Sequence, residues 1–233
     1  MFFTTVNNMN NLKISQNLNN RHCSFKARKV AVARPIVDGI KKEIEIYRLG
    51  NRDKDCFGKI VETINLAQLL PSKINAPNFN VWQNLIEAAY DCIGHVKHQR
   101  IFLAVQDNKP CGVLLASCNN KQGEVVTFAT WPVGLEQKVK KAGSSLFTAF
   151  LKLVEQKKLK RVKLEPLING PTDSVGFYLS HGMEFADKCS SLMVAGQKNI
   201  KSTLTTKIDE LDYEVIKHPR NVRLATRVNL ETV

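Results

Sequence analysis

No stretch of the chain approaches the roughly 18–20 consecutive apolar residues of a membrane-spanning helix, which predicts a soluble protein. No CxxC pair occurs. Cys23, Cys56, Cys92, Cys111, Cys118 and Cys189 are scattered, the pattern of free thiols in a reducing compartment rather than of a disulfide framework. Cys92, His95 and His98 follow at intervals of three, but on a helix end their side chains diverge too far to share a metal ion, so no metal site is expected. A nucleotide P-loop, GxxxxGK followed by Ser or Thr, is missing. No segment repeats another, which excludes solenoids and propellers. Aromatic residues make up 7% and few of them interleave the basic runs, so base stacking is not advertised. Acids are absent from residues 1–37.

Positive charge is abundant. Against 21 Asp and Glu stand 34 Lys and Arg, a net +13 over 233 residues. Such a field attracts coenzyme phosphates, nucleic acid or acidic surfaces without choosing among them, and a merely solvated basic surface is the plain alternative. Residues 1–41 are basic and Asn-rich and read as a disordered segment. The protein is expected in the cytoplasm; the alternative is delivery elsewhere, to an organelle or out of the cell, by that segment.

From Lys42 the chain becomes organised. Residues 43–49 alternate as a strand, and 53–70 and 80–97 carry apolar stripes at helical spacing, the first stopped by Pro71. Three apolar runs, 100–106, 111–118 and 124–131, are separated by short turns and predict an antiparallel meander. A helix over 143–158, a strand over 161–167, a short helix over 173–180 and one or two strands over 183–195 complete the order βααβββαβαβ. The fold class is mixed α/β: a mostly antiparallel sheet with helices on both faces. The domain is expected at 42–196, with 197–233 as an extension of unknown role.

Lys140-Lys141-Ala142-Gly143-Ser144-Ser145 follows a strand and opens an amphipathic helix. A glycine there lets backbone N–H groups approach an anion, the helix dipole adds about half a positive charge, and Lys138, Lys140 and Lys141 crowd the same turn. With Tyr178 four residues before Gly182-Met183, this arrangement resembles the GCN5-related N-acetyltransferase family, whose pyrophosphate signature is Arg or Gln, two residues, Gly, one residue, then Gly or Ala. Gly143 fits; Lys140 and Ser145 depart from the pattern, Met183 replaces a usual Phe, and an Asn often found before the short helix is absent.

The resemblance implies an acyl transfer from acetyl-CoA, or another acyl-CoA, to an amine by direct attack. It places the thioester where the strands 124–131 and 161–167 splay, with a backbone N–H near Phe128, Ala129 and Thr130 on the developing oxyanion. Residues 138 and 140–145 would hold the coenzyme phosphates. Tyr178 would hydrogen-bond the departing thiolate, the alternative being a packed helix-face aromatic. Glu124 is the best carboxylate for a base, Glu165 and Glu87 being weaker, and each has a plain reading as a surface acid. His181 beside Tyr178 reads as a surface histidine. The acceptor amine is expected on an anionic molecule, RNA or an acidic protein, and not at a membrane. A catalytically silent version of the fold, binding nucleic acid or protein through its basic surface, is the competing reading.

Overall fold

The computed structural model describes residues 24–67, 79–93, 98–119, 121–130, 139–168, 174–217 and 224–225. The elements run β1 (Ser24–Phe25), β2 (Arg28–Ala33), β3 (Ile36–Val37), β4 (Ile40–Lys41), β5 (Ile44–Leu49), a one-turn 3-10 helix (Asn51–Asp53), α1 (Lys54–Ala67) and α2 (Phe79–Asp91). The meander follows as β6 (Gln99–Gln106), β7 (Lys109–Cys118) and β8 (Gln122–Thr130). Then come α3 (Ala142–Gln156), β9 (Arg161–Leu164), α4 (Ser174–Leu179), β10 (Glu184–Phe185), β11 (Met193–Gly196), α5 (Gln197–Leu211), β12 (Glu214–Val215) and β13 (Leu224–Ala225).

Among the described residues, nine strands form one sheet in the order β10-β11-β9-β8-β7-β6-β5-β2-β12. Every neighbouring pair is antiparallel except β8 with β9, which are parallel because α3 carries the chain back between them. The β6–β7 hairpin turns on Asp107 and Asn108, both at positive φ (50° and 61°), which suits the strands' twist.

Side chains alternate across the sheet, so two cores form. One face, with Ile44, Ile46, Phe102 and Leu114, packs on α3 and α5. The other, with Tyr47, Leu103, Val113 and Leu115, packs on α1 and α2 through Phe57, Ile60 and Ile86. The α/β sandwich expected from the periodicities is thus present. No helix among the described residues is long and apolar enough to cross a membrane.

The domain is wider than 42–196. In β2, Ala31, Val32 and Ala33 are 1%, 3% and 0% exposed, and β2 sits between β5 and β12. Residues 24–41 therefore correct the expectation of a disordered segment ending at 41; residues 1–23 lie outside the description. At the other end, α5 buries Ile200, Thr203, Leu204 and Leu211, and β12 pairs Glu214 with Val32. The C-terminal extension closes the sheet that the N-terminal strand borders. Gly182, at φ 75°, lets α4's exit pass under α5; a Cβ there would collide with Thr203 Oγ1. Cys56 is disulfide-bonded, which corrects the expectation of six free thiols. Cys92, Cys111, Cys118 and Cys189 are free, and Cys23 lies outside the described residues.

Removing residues 1–41 deletes β2 from the sheet and uncovers β5 and β12. The truncated protein is expected to melt at least about 10 °C lower than the full chain, since a loss of several kcal/mol moves a domain of this size by that much. Unchanged melting by circular dichroism would contradict β2's place in the core.

Candidate functional site

The sheet opens in one place. β8 and β9 share only three register pairs, Gln122 with Arg161, Gly123 with Val162 and Glu124 with Lys163. Beyond them β9 stops at Leu164 while β8 continues to Thr130, paired with β7 alone. A β-bulge lies where they part. Thr127 stands opposite Leu115 and Val125 opposite Ala116, so Val126 is the extra residue. It is 48% exposed. An extra residue bends its strand and strengthens the local twist, which turns β8 away from β9. Thr127 fixes the bend on the other face by donating its hydroxyl to the Leu85 carbonyl at 2.9 Å. The splay expected between these strands is present: from Val125 onward β8 has no β9 residue opposite it.

Three elements converge on its mouth. The Phe128 ring lies 5.6 Å from Phe177 of α4 and 6.4 Å from Phe147 of α3, centroid to centroid. A Cβ on Gly143 would sit 3.5 Å from Phe128, 3.5 Å from Phe177 and 3.6 Å from Thr130. Gly143 thus points into the opening, and α3 begins there. Lys141 precedes α3 at φ 69°, a left-handed conformation uncommon for lysine. Ser145 N–H and Ser145 Oγ both donate to the Lys141 carbonyl at 2.9 Å. The N–H groups of Gly143 and Ser144, in the first turn, lie outside the intrahelical ladder and face outward. Together with the dipole they form an anion-binding end.

The remaining candidates for phosphate contact divide. Ala142 and Ser145 are 0% exposed, so neither side chain reaches a ligand. Lys140 pairs with Asp38 of the β3–β4 turn at 2.8 Å, and Lys141 pairs with Glu210 of α5, which also holds Lys207 at 2.6 Å. Lys141 first, then Lys207, pull the Glu210 carboxyl down to about 2. These pairs are solvent-accessible and easily exchanged for a phosphate. Lys138 lies outside the described residues.

The structure does not bring Glu124 and Tyr178 together. Gly123 and Val125 face α3, so Glu124 lies on the α2 face, where its carboxylate is 3.2 Å from Lys163 Nζ. Tyr178 is on the α3 face, 7% exposed, with its ring 5.7 Å from Phe147 and 5.2 Å from Phe177. Burial pushes its hydroxyl well above the usual tyrosine range. The opening between β8 and β9 lies between the two faces. Glu165 is exposed and Glu87 half-buried.

His181 corrects the reading as a surface histidine. It is 2% exposed, 4.2 Å from Phe177 and 5.4 Å from Phe147 between ring centroids. Its Nδ1–H donates to the Phe177 carbonyl at 2.7 Å, while Nε2 is buried without a partner. Burial lowers its pKa to about 4. Its place, one turn beyond Tyr178 and under α5, depends on the helix at 197–211, which the apolar spacing Ile200, Leu204, Ile208 and Leu211 signals.

No protein-family model matches the chain, and no curated protein matches it. Solved structures resemble it. An uncharacterised protein from Bacillus halodurans is 11% identical, covers 78% of this chain and 100% of its own, and has a TM-score of 0.49. FdhC, a nucleotide-linked sugar GNAT, is 12% identical over 82% of this chain and 99% of its own, with a TM-score of 0.49. The PaiA N-acetyltransferase of Thermoplasma acidophilum, solved with coenzyme A, is 18% identical over 66% of this chain and 98% of its own, with a TM-score of 0.44. At such identities the likeness is one of fold and assigns neither substrate nor residue roles.

His181 has a folded pKa below its unfolded value of about 6.5, so its contribution is complete above pH 6.5 and is lost as pH falls towards about 4. About 3 kcal/mol of stability is at stake in that window. Melting temperature against pH is expected to fall between pH 6.5 and 4 in the wild type and to flatten there in His181→Phe. A parallel profile in the variant would assign the acid sensitivity to other groups.

Proposed function

We propose that the chain is an acyl-CoA-dependent N-acyltransferase that moves an acetyl, or longer acyl, group from coenzyme A to an amine by direct attack. The observation that carries this reading is the parting of β8 from β9 beside the outward-facing amides of Gly143 and Ser144. When bound, acyl-CoA supplies the activated thioester.

The residues divide the work as follows. Gly143 and Ser144 N–H groups and the α3 dipole hold the pyrophosphate, with Lys140 and Lys141 exchanging their carboxylate partners for it. Phe128 and Phe177, packed on each other, offer an apolar surface for the pantetheine arm. A backbone N–H of Phe128 or Ala129, on the side of β8 that β9 leaves, stabilises the oxyanion, a contribution of about 3 kcal/mol for one such donor. Tyr178, its hydroxyl held protonated by burial, donates a hydrogen bond that strengthens as the sulfur gains charge. Glu124 acts from the opposite face through water, after release from Lys163. An α-amino acceptor suits the site, since deprotonating it at pH 7 costs about 1 kcal/mol against about 4–5 for a lysine side chain. The +13 charge favours an acceptor carried on RNA or an acidic protein. The disulfide at Cys56 favours delivery to an oxidising compartment over the cytoplasm.

The ion pairs Glu124–Lys163 and Lys140–Asp38 favour a second reading, a catalytically silent fold that binds partners through its basic surface.

Acetyl-CoA at about 100 times its Kd is expected to raise Tm by about 5–10 °C. Tyr178→Phe is expected to lower kcat about tenfold or more with coenzyme affinity unchanged. Coenzyme binding with no turnover on any amine would select the silent reading; no binding of any acyl-CoA would remove the enzyme reading. With acyl-CoA saturating, kcat/KM for an anionic acceptor is expected to fall steeply with salt, as the screening length shortens from about 10 Å at 0.1 M towards about 3 Å at 1 M. A flat profile would leave the basic surface as solvation.

A further inference from the structure

A second cavity lies away from the opening, where β2, β5 and β6 meet the 3-10 turn. Its volume is about 720 Å³, in the range of small-molecule pockets. Lys26, Arg28, Arg48, Arg52 and Arg100 line it, and Asp53 is the one carboxylate among the described lining residues. That carboxylate is engaged: its Oδ1 accepts the Lys26 N–H at 2.7 Å and its Oδ2 the Gly50 N–H at 2.9 Å.

Strand register makes the cluster unusual. Arg28 stands directly opposite Arg48 across β2 and β5. Arg48 stands opposite Phe102, and Arg100 lies two residues along β6 from Phe102 on the same face. Like charges in directly opposed positions destabilise a sheet, yet here three guanidiniums share one face at its end. Burial first, then the charges of Arg100 and Arg28, lower the Arg48 pKa. Gln99 Oε1 is buried beside the same cavity without a hydrogen-bond partner.

We infer that this cavity binds a small phosphate-bearing anion, with its oxygens bridging the guanidiniums of Arg28, Arg48 and Arg100. A phosphate presents oxygens in several directions and more than one charge, whereas a monocarboxylate offers two coplanar oxygens to a single fork. The site is independent of the acyl-transfer reading: Arg48 is three strands from Phe128, about 14 Å by strand spacing.

The test is calorimetric titration of the full-length protein with sodium pyrophosphate, repeated with adenosine diphosphate to separate a bare phosphate-bearing ligand from a nucleotide. With coenzyme A saturating, so that the start of α3 is occupied, one further saturable site is expected, weakened about tenfold or more by Arg48→Gln. Arg28→Gln, at an exposed position, is expected to weaken it likewise and guards against misfolding of the Arg48 variant. Since Arg48→Gln removes a like-charge contact, its Tm in phosphate-free buffer is expected to be no lower than wild type. Loss of binding in Lys141→Gln with retention in Arg48→Gln would place the anion at the start of α3 and overturn the proposal. So would Arg48-dependent binding of single-stranded RNA without saturable pyrophosphate binding, which marks an extended polyanion surface.

Discussion

The candidate site depends on one structural constraint: β8 cannot stay paired with β9 beyond Glu124 and Lys163. Val126 adds a residue to β8, Thr127 ties the bent strand to the Leu85 carbonyl, and Phe128 turns its ring towards Phe177 and Phe147. Aromatic packing fills what strand pairing would otherwise occupy, and burial of those rings is worth more than the few ladder hydrogen bonds forgone. The opening is therefore built into the packed fold. Its mouth carries the two features the proposed acyl-transfer reading uses, a stretch of β8 that β9 leaves on one side and a helix N-terminus on the other.

The termini hold that opening in shape. β2 and β12 pair with each other at the sheet's edge; α5 is joined to the start of α3 by the Lys141–Glu210 ion pair and lies over the exit of α4, where Gly182 passes beneath Thr203. Lys141 thus links the start of α3 to the C-terminal helix. A ligand that draws Lys141 away from Glu210 would loosen that link.

Much of this was legible in the sequence, because the elements from 42 to 196 announce themselves by period. Residues 143–158 predict a helix and α3 spans Ala142–Gln156; the three meander strands fall within two residues of expectation. The edges were less legible for a physical reason. In residues 24–41 the core strand is Arg28–Ala33, whose buried face is built of small residues, Ala31 and Ala33, within an Asn-rich and acid-free context. Such a strand owes its existence to pairing with β5 and β12, which composition does not reveal. The face assignment of Glu124 was likewise hidden, since it depends on Gly123 turning towards Phe150 and on the bulge one step beyond. The cross-strand Arg28–Arg48 pair needs register, which only the folded sheet supplies.

The central claim is that the opening between β8 and β9 and the start of α3 form one ligand site. Its most direct test is a nitrogen-15 amide titration of the full-length protein with coenzyme A. The account predicts that the Gly143, Ser144 and Phe128–Thr130 amides shift together, saturating with a single Kd. Saturable shifts confined to other parts of the fold, with Gly143 and Ser144 unmoved, would contradict it.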